Sequence, residues 1–225
     1  IFHELEQPVY IADYEHLGVY ACRILVPGMS DIYPVEDLLL ANNTMGAHLR
    51  EVILALPSLE WNAEQYMALF DQLDEEGHDE RTRVRELLGI AAAKGSALHT
   101  LRIGELKAML ALAAGDLESA LDLIDWTMEF NQSVFPADRA NYYRALRACV
   151  ELFLDEERDP EQYRPVFARM FGEETLAEAW AHARGEARFH GLEAADLSLS
   201  QFPLHQKLLA AYEKLQKAKR AHSWA

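Results

Sequence analysis

The chain has 225 residues, half of them hydrophobic, and its 37 Asp and Glu against 21 Lys and Arg leave a formal charge of −16 at pH 7. That much apolar material excludes disorder as the default state, and so acidic a balance argues against a nucleic-acid groove, which needs a basic face. No apolar run approaches the roughly twenty residues that span a bilayer, which excludes a membrane helix.

Cys22 and Cys149 are the only cysteines and supply neither a disulfide framework nor a metal-ligand spacing, so a reducing cytoplasm fits best. The chain begins Ile-Phe-His without an initiator Met and no signal peptide precedes its first element, which predicts a piece of a larger protein.

Val9 to Tyr14 and Val19 to Val26 are short β-branched and aromatic runs that read as a β-hairpin ending at Pro27-Gly28. A lone hairpin is marginal in water, so these strands are expected to belong to a sheet lying mostly elsewhere. From Pro34 to Pro57 a helical period takes over, with Leu38, Asn42, Met45, Leu49, Val52, Ile53 and Leu56 on one side. Asn62 with Gln65 forms a capping box for a helix through Tyr66, Met67, Phe70 and Leu73. An acidic loop follows from Asp74 to Glu80, then a shorter helix from Thr82 to Ile90 and a loop from Ala91 to Ser96.

Leu101 to Asn131 is the centre of the pattern: two amphipathic helices joined at Gly115-Asp116, where Gly suits a left-handed helix end and Asp caps the next helix. Small residues at Ala108 and Ala120 with bulk at Leu117, Leu121 and Ile124 look like a tetratricopeptide unit. Gly104, Lys107 and Gln132 stand where that repeat usually has Trp, Leu and Pro, so a generic helical hairpin fits these residues nearly as well. No second copy of the signature is found.

Pro136 opens a helix with Tyr142, Leu146, Cys149, Val150 and Phe153 on its buried side, and Asp159-Pro160 starts another with Tyr163, Val166, Phe167 and Met170. Glu173 to about Arg188 predicts a further helix, stopped by Gly191, with a loop over 191–201. Pro203 begins the last, with Leu208, Tyr212, Leu215 and Ala218 expected to face inward. From Gln206 on, Lys207, Lys214, Lys217, Lys219 and Arg220 against Glu213 make a net of +4, leaving −20 for the rest. The fold class is therefore mostly α, stacked antiparallel helical hairpins in a tetratricopeptide-like array, preceded by a short β-hairpin remnant of an α/β core.

Chemical motifs are scarce. The sequence has no Gly-rich phosphate loop, GxSxG elbow or HExxH helix. Asp71 with Asp74, and Asp122 with Asp125, pair carboxylates one turn apart, which fits a solvated acidic face better than a cation site. Glu178, His182 and Glu186 have the spacing of shared metal ligands but read as a surface ion-pair column, since no second element supplies a ligand. His78 among Glu76, Asp79 and Glu80 reads as an exposed loop histidine. Trp180 and Tyr142-Tyr143 read as core packing. No catalytic, cofactor-binding or metal residue emerges; in a tetratricopeptide-like hairpin the groove would be lined from the first helix, which makes Arg102, Glu105 and Met109 candidate interaction residues.

The runs VYIADYEHLGVYACRILVPGMSDIYPVEDL and LLLANNTMGAHLREVIL, then LDEEGHDERTRVRELLG, TLRIGELKAMLALAAGDLE, WTMEFNQSVFPADRANYYR and LLAAYEKLQKAK, closely resemble the C-terminal end of bacterial stand-alone YcaO proteins. The resemblance covers nearly the whole chain. It implies the last strands of the YcaO core over residues 1–30 and the family's helical, tetratricopeptide-like C-terminal domain over 31–225.

YcaO enzymes activate a peptide-backbone amide with ATP and Mg through carboxylates of the preceding core, which have no matching positions here; the cofactors are thus expected in the parent protein and none in this chain. Azoline-forming members often end in a proline-rich tail, absent from the closing Arg220-Ala-His-Ser-Trp-Ala. The stand-alone proteins are linked instead with β-methylthiolation of a small-subunit ribosomal protein, as an accessory factor. The resemblance implies a non-catalytic scaffold, most simply a cytoplasmic homodimer that meets a protein partner, a ribosomal protein or the methylthiolation enzyme, and no nucleic acid or membrane. The alternatives are an autonomous peptide adaptor, or a domain that feeds Asp31, Tyr33 or His48 into the parent's active site.

Overall fold

The computed structural model describes residues 9–14, 21–25, 46–131 and 134–221. The chain divides into two compact units, residues 1–43 and 44–225.

In the first unit, β1 (Tyr10–Tyr14) and β2 (Ala21–Leu25) pair antiparallel, with Tyr10 opposite Leu25 and Ile11 opposite Ile24. This is the hairpin expected from the β-branched runs. Ile11 and Ile24 form an exposed cross-strand pair on one face.

The second unit is helical. A 3-10 turn over Ala47–Leu49 leads into α1 (Arg50–Ala55) and a second 3-10 turn, Leu56–Ser58. The predicted helix from Pro34 falls outside the described residues as far as position 45. α2 (Ala63–Glu75) starts at the predicted capping box: Asn62 Oδ1 accepts from the Gln65 amide at 2.9 Å, and Gln65 Oε1 from the Asn62 amide at 3.1 Å. α3 (Val84–Leu87) and α4 (Ala97–Thr100) are single turns. The helix expected to begin at Leu101 starts two residues later as α5 (Ile103–Ala114), because the Leu101 carbonyl accepts from the Val84 amide instead, at 2.9 Å.

Gly115, at φ 79°, closes α5, and Asp116 opens α6 (Leu117–Asn131), its Oδ1 accepting from the Ser119 amide at 3.1 Å. α7 (Ala137–Leu154) follows Pro136. α8 (Pro160–Phe171) is capped by Asp159. α9 (Glu173–Ala183) is shorter than its apolar period suggests, because the chain turns at Gly185, φ 70°, rather than at Gly191. α10 (Pro203–Ala221) is last.

α5 organises the unit. It packs against α6 on one side and α2 on another, and every residue from Ile103 to Leu112 is buried. Ile103, Leu106, Met109 and Leu110 enter a cluster with α1, α2, α3 and the loop residues Phe189, Ala195 and Leu199. Ala108, Ala111 and Leu112 enter a second cluster with Ala120 and Ile124 of α6, the inner face of α7, and Leu176 and Trp180 of α9. A helix buried all round has no free face, which accounts for its weak amphipathic pattern.

The Trp missing from the first helix is supplied by the second. A Cβ on Gly104 would stand 2.5 Å from the Trp126 ring, so that ring fills the space glycine leaves. Lys107, at a position where the repeat has Leu, is 5% exposed and pairs with Asp74 at 2.5 Å and Glu80 at 3.0 Å. Gln132 lies outside the described residues.

Two predicted faces are corrected. On α8, Tyr163 and Phe167 pack on the second cluster, but Val166 and Met170 are exposed. On α10, Leu208 and Tyr212 are exposed rather than inward-facing; the side chains of Leu215 and Ala218 lie outside those described.

Candidate functional site

Glu105 projects from α5 toward α7 and is fully buried. Its Oε1 accepts from the Tyr143 hydroxyl at 2.5 Å and from the Arg139 guanidinium. Burial pushes the Glu105 carboxyl above its ordinary range, against the pull of Arg139 and Tyr143. For Arg139, burial works against the charge, but Glu105 outweighs it and holds the guanidinium above its ordinary value. Arg139 also donates to Thr100 Oγ1 at 2.8 Å and lies over the Phe135 ring, 4.6 Å from its centroid.

Outward from this buried pair opens a cleft of ≈ 680 Å³ between the 95–100 segment, the start of α7, the first turns of α9, and His190-Gly191. Its back wall is a stacked pair: the His190 ring lies 3.6 Å from Tyr142, inclined by 9°. His190 Nδ1 is 2.7 Å from Glu178 Oε1, which fits the tautomer that donates from Nδ1 and leaves Nε2 as an acceptor. Burial lowers the His190 pKa from its ordinary value, outweighing Glu178, and so favours the neutral ring.

The backbone sets His190 in place. Phe189 takes φ 54°, rare for a bulky residue, and its ring is buried 5.8 Å from Tyr66 in the first cluster. The left-handed turn sends Phe189 to one side of the chain and its neighbour onto Tyr142 on the other.

Asp138, Glu174 and Glu178 line the mouth of the cleft. Among the described residues Glu178 is paired only with His190, and Asp138 and Glu174 have no ion-pair partner. The first turns of α7 and α9 favour Asp138 and Glu174 locally, and with Glu178 they leave the cleft negative.

Of the candidate interaction residues, Glu105 and Met109 are buried, so neither presents its side chain to an open groove. Glu105 acts from beneath, holding the floor of the cleft through Arg139. Met109 lies against a small cavity of ≈ 10 Å³ shared with Tyr142 and His190. Arg102 is half-buried elsewhere, its Nε donating to Asn131 Oδ1 at 2.8 Å and its Nη1 to the Arg81 carbonyl at 2.8 Å.

His48 Nε2 contacts Glu76 Oε1 at 2.8 Å; Asp31 and Tyr33 lie outside the described residues. His78 is not an exposed loop residue: its side chain is 5% exposed and its Nε2 reaches Glu76 Oε2 at 2.7 Å. Although slight burial works the other way, hydrogen bonds from His48, Gln72 and His78 hold the Glu76 carboxyl down to about 2. Glu178, His182 and Glu186 do not form a surface column, since His182 is buried with Nδ1 on the Glu178 carbonyl at 2.8 Å and Glu186 pairs with Arg184. Asp74 and Asp125 are taken by Lys107 and Arg147. Among the described residues no three His, Cys, Asp or Glu converge as metal ligands. Trp180, Tyr142 and Tyr143 are core residues, as their helical spacing indicates.

Arg139, His190, Asp138 and Glu174 were not singled out by motif. One signal was available for Arg139: it stands in the first turn of its helix, where a cation opposes the dipole and so needs a carboxylate from another element.

Fold and cleft together define a helical domain built around one enclosed helix, with an open, acidic, aromatic-backed cleft on one side. The chain belongs to the YcaO family: the model of the YcaO cyclodehydratase C-terminal domain matches residues 46–221. It is 61% identical over its whole length to the ribosomal protein S12 methylthiotransferase accessory factor YcaO of Escherichia coli strain K12, and 53% identical over 221 residues to an uncharacterized protein of Haemophilus influenzae. It spans 38% of the length of each of these relatives. Among the described residues no helix is long and apolar enough to cross a membrane.

Proposed function

We propose that this chain is a non-catalytic scaffold and protein-interaction domain of a cytoplasmic, homodimeric YcaO-type protein that uses ATP and Mg elsewhere in its length and takes part in β-methylthiolation of a small-subunit ribosomal protein. The cleft at His190 is the docking site for a basic segment of the protein partner. The observation that carries this reading is the cleft itself: three carboxylates line its mouth, two of them without an ion-pair partner among the described residues, on a chain of charge −16. Ribosomal proteins neutralise RNA phosphates and so carry Lys- and Arg-rich segments of the complementary sign. The 61% identity to the Escherichia coli accessory factor supports the same class of partner.

The test is titration of the chain with ribosomal protein S12 by calorimetry at low and high salt. Asp138→Asn with Glu174→Gln is expected to weaken binding at least tenfold while leaving the thermal midpoint in place. Equal affinity of the double variant and the parent would remove the cleft from the interface.

A further inference from the structure

α10 is the element least accounted for by the body it belongs to. Among the described residues its polar attachments lie at its first turn: His205 Nδ1 accepts from the Ala91 amide at 3.3 Å, and Gln206 Nε2 donates to the Ser198 and Leu199 carbonyls at 2.9 and 3.0 Å. From that turn onward Leu204, Leu208 and Tyr212, spaced by four, remain 46%, 45% and 36% exposed. Isolated helices are marginal in water, and most helical stability in proteins comes from packing an apolar face. This stripe therefore needs a cover.

The same molecule offers a surface of matching character. An apolar groove of ≈ 350 Å³ is walled by Leu54, Ala97, Leu192, Ala195 and Phe202, with Glu193 beside them. Pro203 also lines it and no later residue of α10 does, so the helix starts at the edge of the groove without filling it.

We infer that α10 of one molecule lies along the apolar groove of a second, reciprocally, and that this exchange is the contact of the homodimer proposed above, on which the inference rests. Charge selects this occupant. The chain from Gln206 on carries a net +4 against −20 for the remainder, so α10 is attracted by the body of another copy and repelled by a second α10. A two-fold arrangement satisfies both surfaces at once, since each copy gives a helix and receives one. The size is of the right order: the 15 residues of the helix beyond its anchored first turn span about 22 Å and cover a strip about 10 Å wide, so four such facing strips amount to about 900 Å², close to the roughly 1,000 Å² expected of a specific interface.

Sedimentation equilibrium of the 225-residue chain tests the assignment. The parent is expected to be a dimer whose dissociation constant rises at least tenfold between 50 and 500 mM salt. Leu208→Glu with Tyr212→Glu is expected to raise that constant at least 100-fold, and Lys207→Glu with Lys214→Glu to raise it similarly without touching the apolar stripe. Because these side chains are exposed, the circular dichroism of each variant should match that of the parent. A parent dimer that both variants reproduce unchanged overturns the α10 assignment and leaves the homodimer standing on some other surface. A parent that stays monomeric at about 0.5 mM overturns the homodimer and this inference together.

Discussion

The two charges buried on α5 should differ sharply in what they cost to remove. Replacing Glu105 by Ala leaves the Arg139 guanidinium, whose side chain is 12% exposed, without its carboxylate. Breaking a buried pair from one side typically costs about 3–5 kcal/mol. Lys107 is as deep at its stem, but its partners are not: the Asp74 and Glu80 side chains are 54% and 36% exposed and can return to water. Lys107→Met keeps the apolar stem beside Phe70, where the ammonium now lies 4.8 Å from the ring centroid, so its net cost should be within about 1 kcal/mol. Urea unfolding followed by helical circular dichroism measures both, against a total stability on the order of 5–15 kcal/mol for a domain of this kind. A third variant isolates the cause. Glu105→Met with Arg139→Met and Tyr143→Phe removes every polar group of the cluster at once and should recover most of the loss, because apolar replacement of a whole buried pair is often neutral. Equal costs for Glu105→Ala and Lys107→Met, or a triple variant as unstable as Glu105→Ala, would refute the reasoning.

Gly104→Ala gains about 1 kcal/mol of helix propensity but drives a methyl to 2.5 Å from the Trp126 ring, an overpacking worth about 1–3 kcal/mol. The single variant should be neutral to destabilised by about 2 kcal/mol, and should turn stabilising when Trp126→Leu removes the ring, both read from urea midpoints. Stability should also fall as the pH is lowered. Burial disfavours the charged His190 ring in the fold, so below its ordinary pKa of 6.5 the unfolded chain takes up the proton first, and folding loses ground as the pH drops toward the lowered folded value. His190→Gln should flatten the slope of the thermal midpoint between pH 7 and 5.5; an unchanged slope would assign it to other groups.

Local hydrogen-bond chemistry was the most readable part of the chain. Asn62 and Gln65, Gly115 and Asp116, and Asp159 and Pro160 all mark the helix ends they should, because capping involves residues three or four apart and little else. The pattern misled where a distant partner or an earlier glycine competed. Leu101 left the central helix because Val84, on another segment, took its carbonyl, and α9 stopped early because Gly185 could turn before Gly191 did. The apolar stripe of α10 was visible in its four-residue spacing, but periodicity says which side is oily and not whether anything within the body covers it. The cleft was the least legible. Arg139 meets Glu105 across 34 positions, and His190 reaches Tyr142 only through the left-handed turn at Phe189, which no residue preference announces.

Because α5 is the common wall of both apolar clusters, neither cluster has a lining of its own to fall back on. Stacked solenoids can fray one unit at a time from either end, each remaining pair keeping its own contacts. Here the loss of α2 or of α7 would bare the same central rod, so the two halves should melt together. Tolerance to insertion and drift is thereby pushed outward to α8 and α10, whose described residues add no fully buried side chain to either cluster.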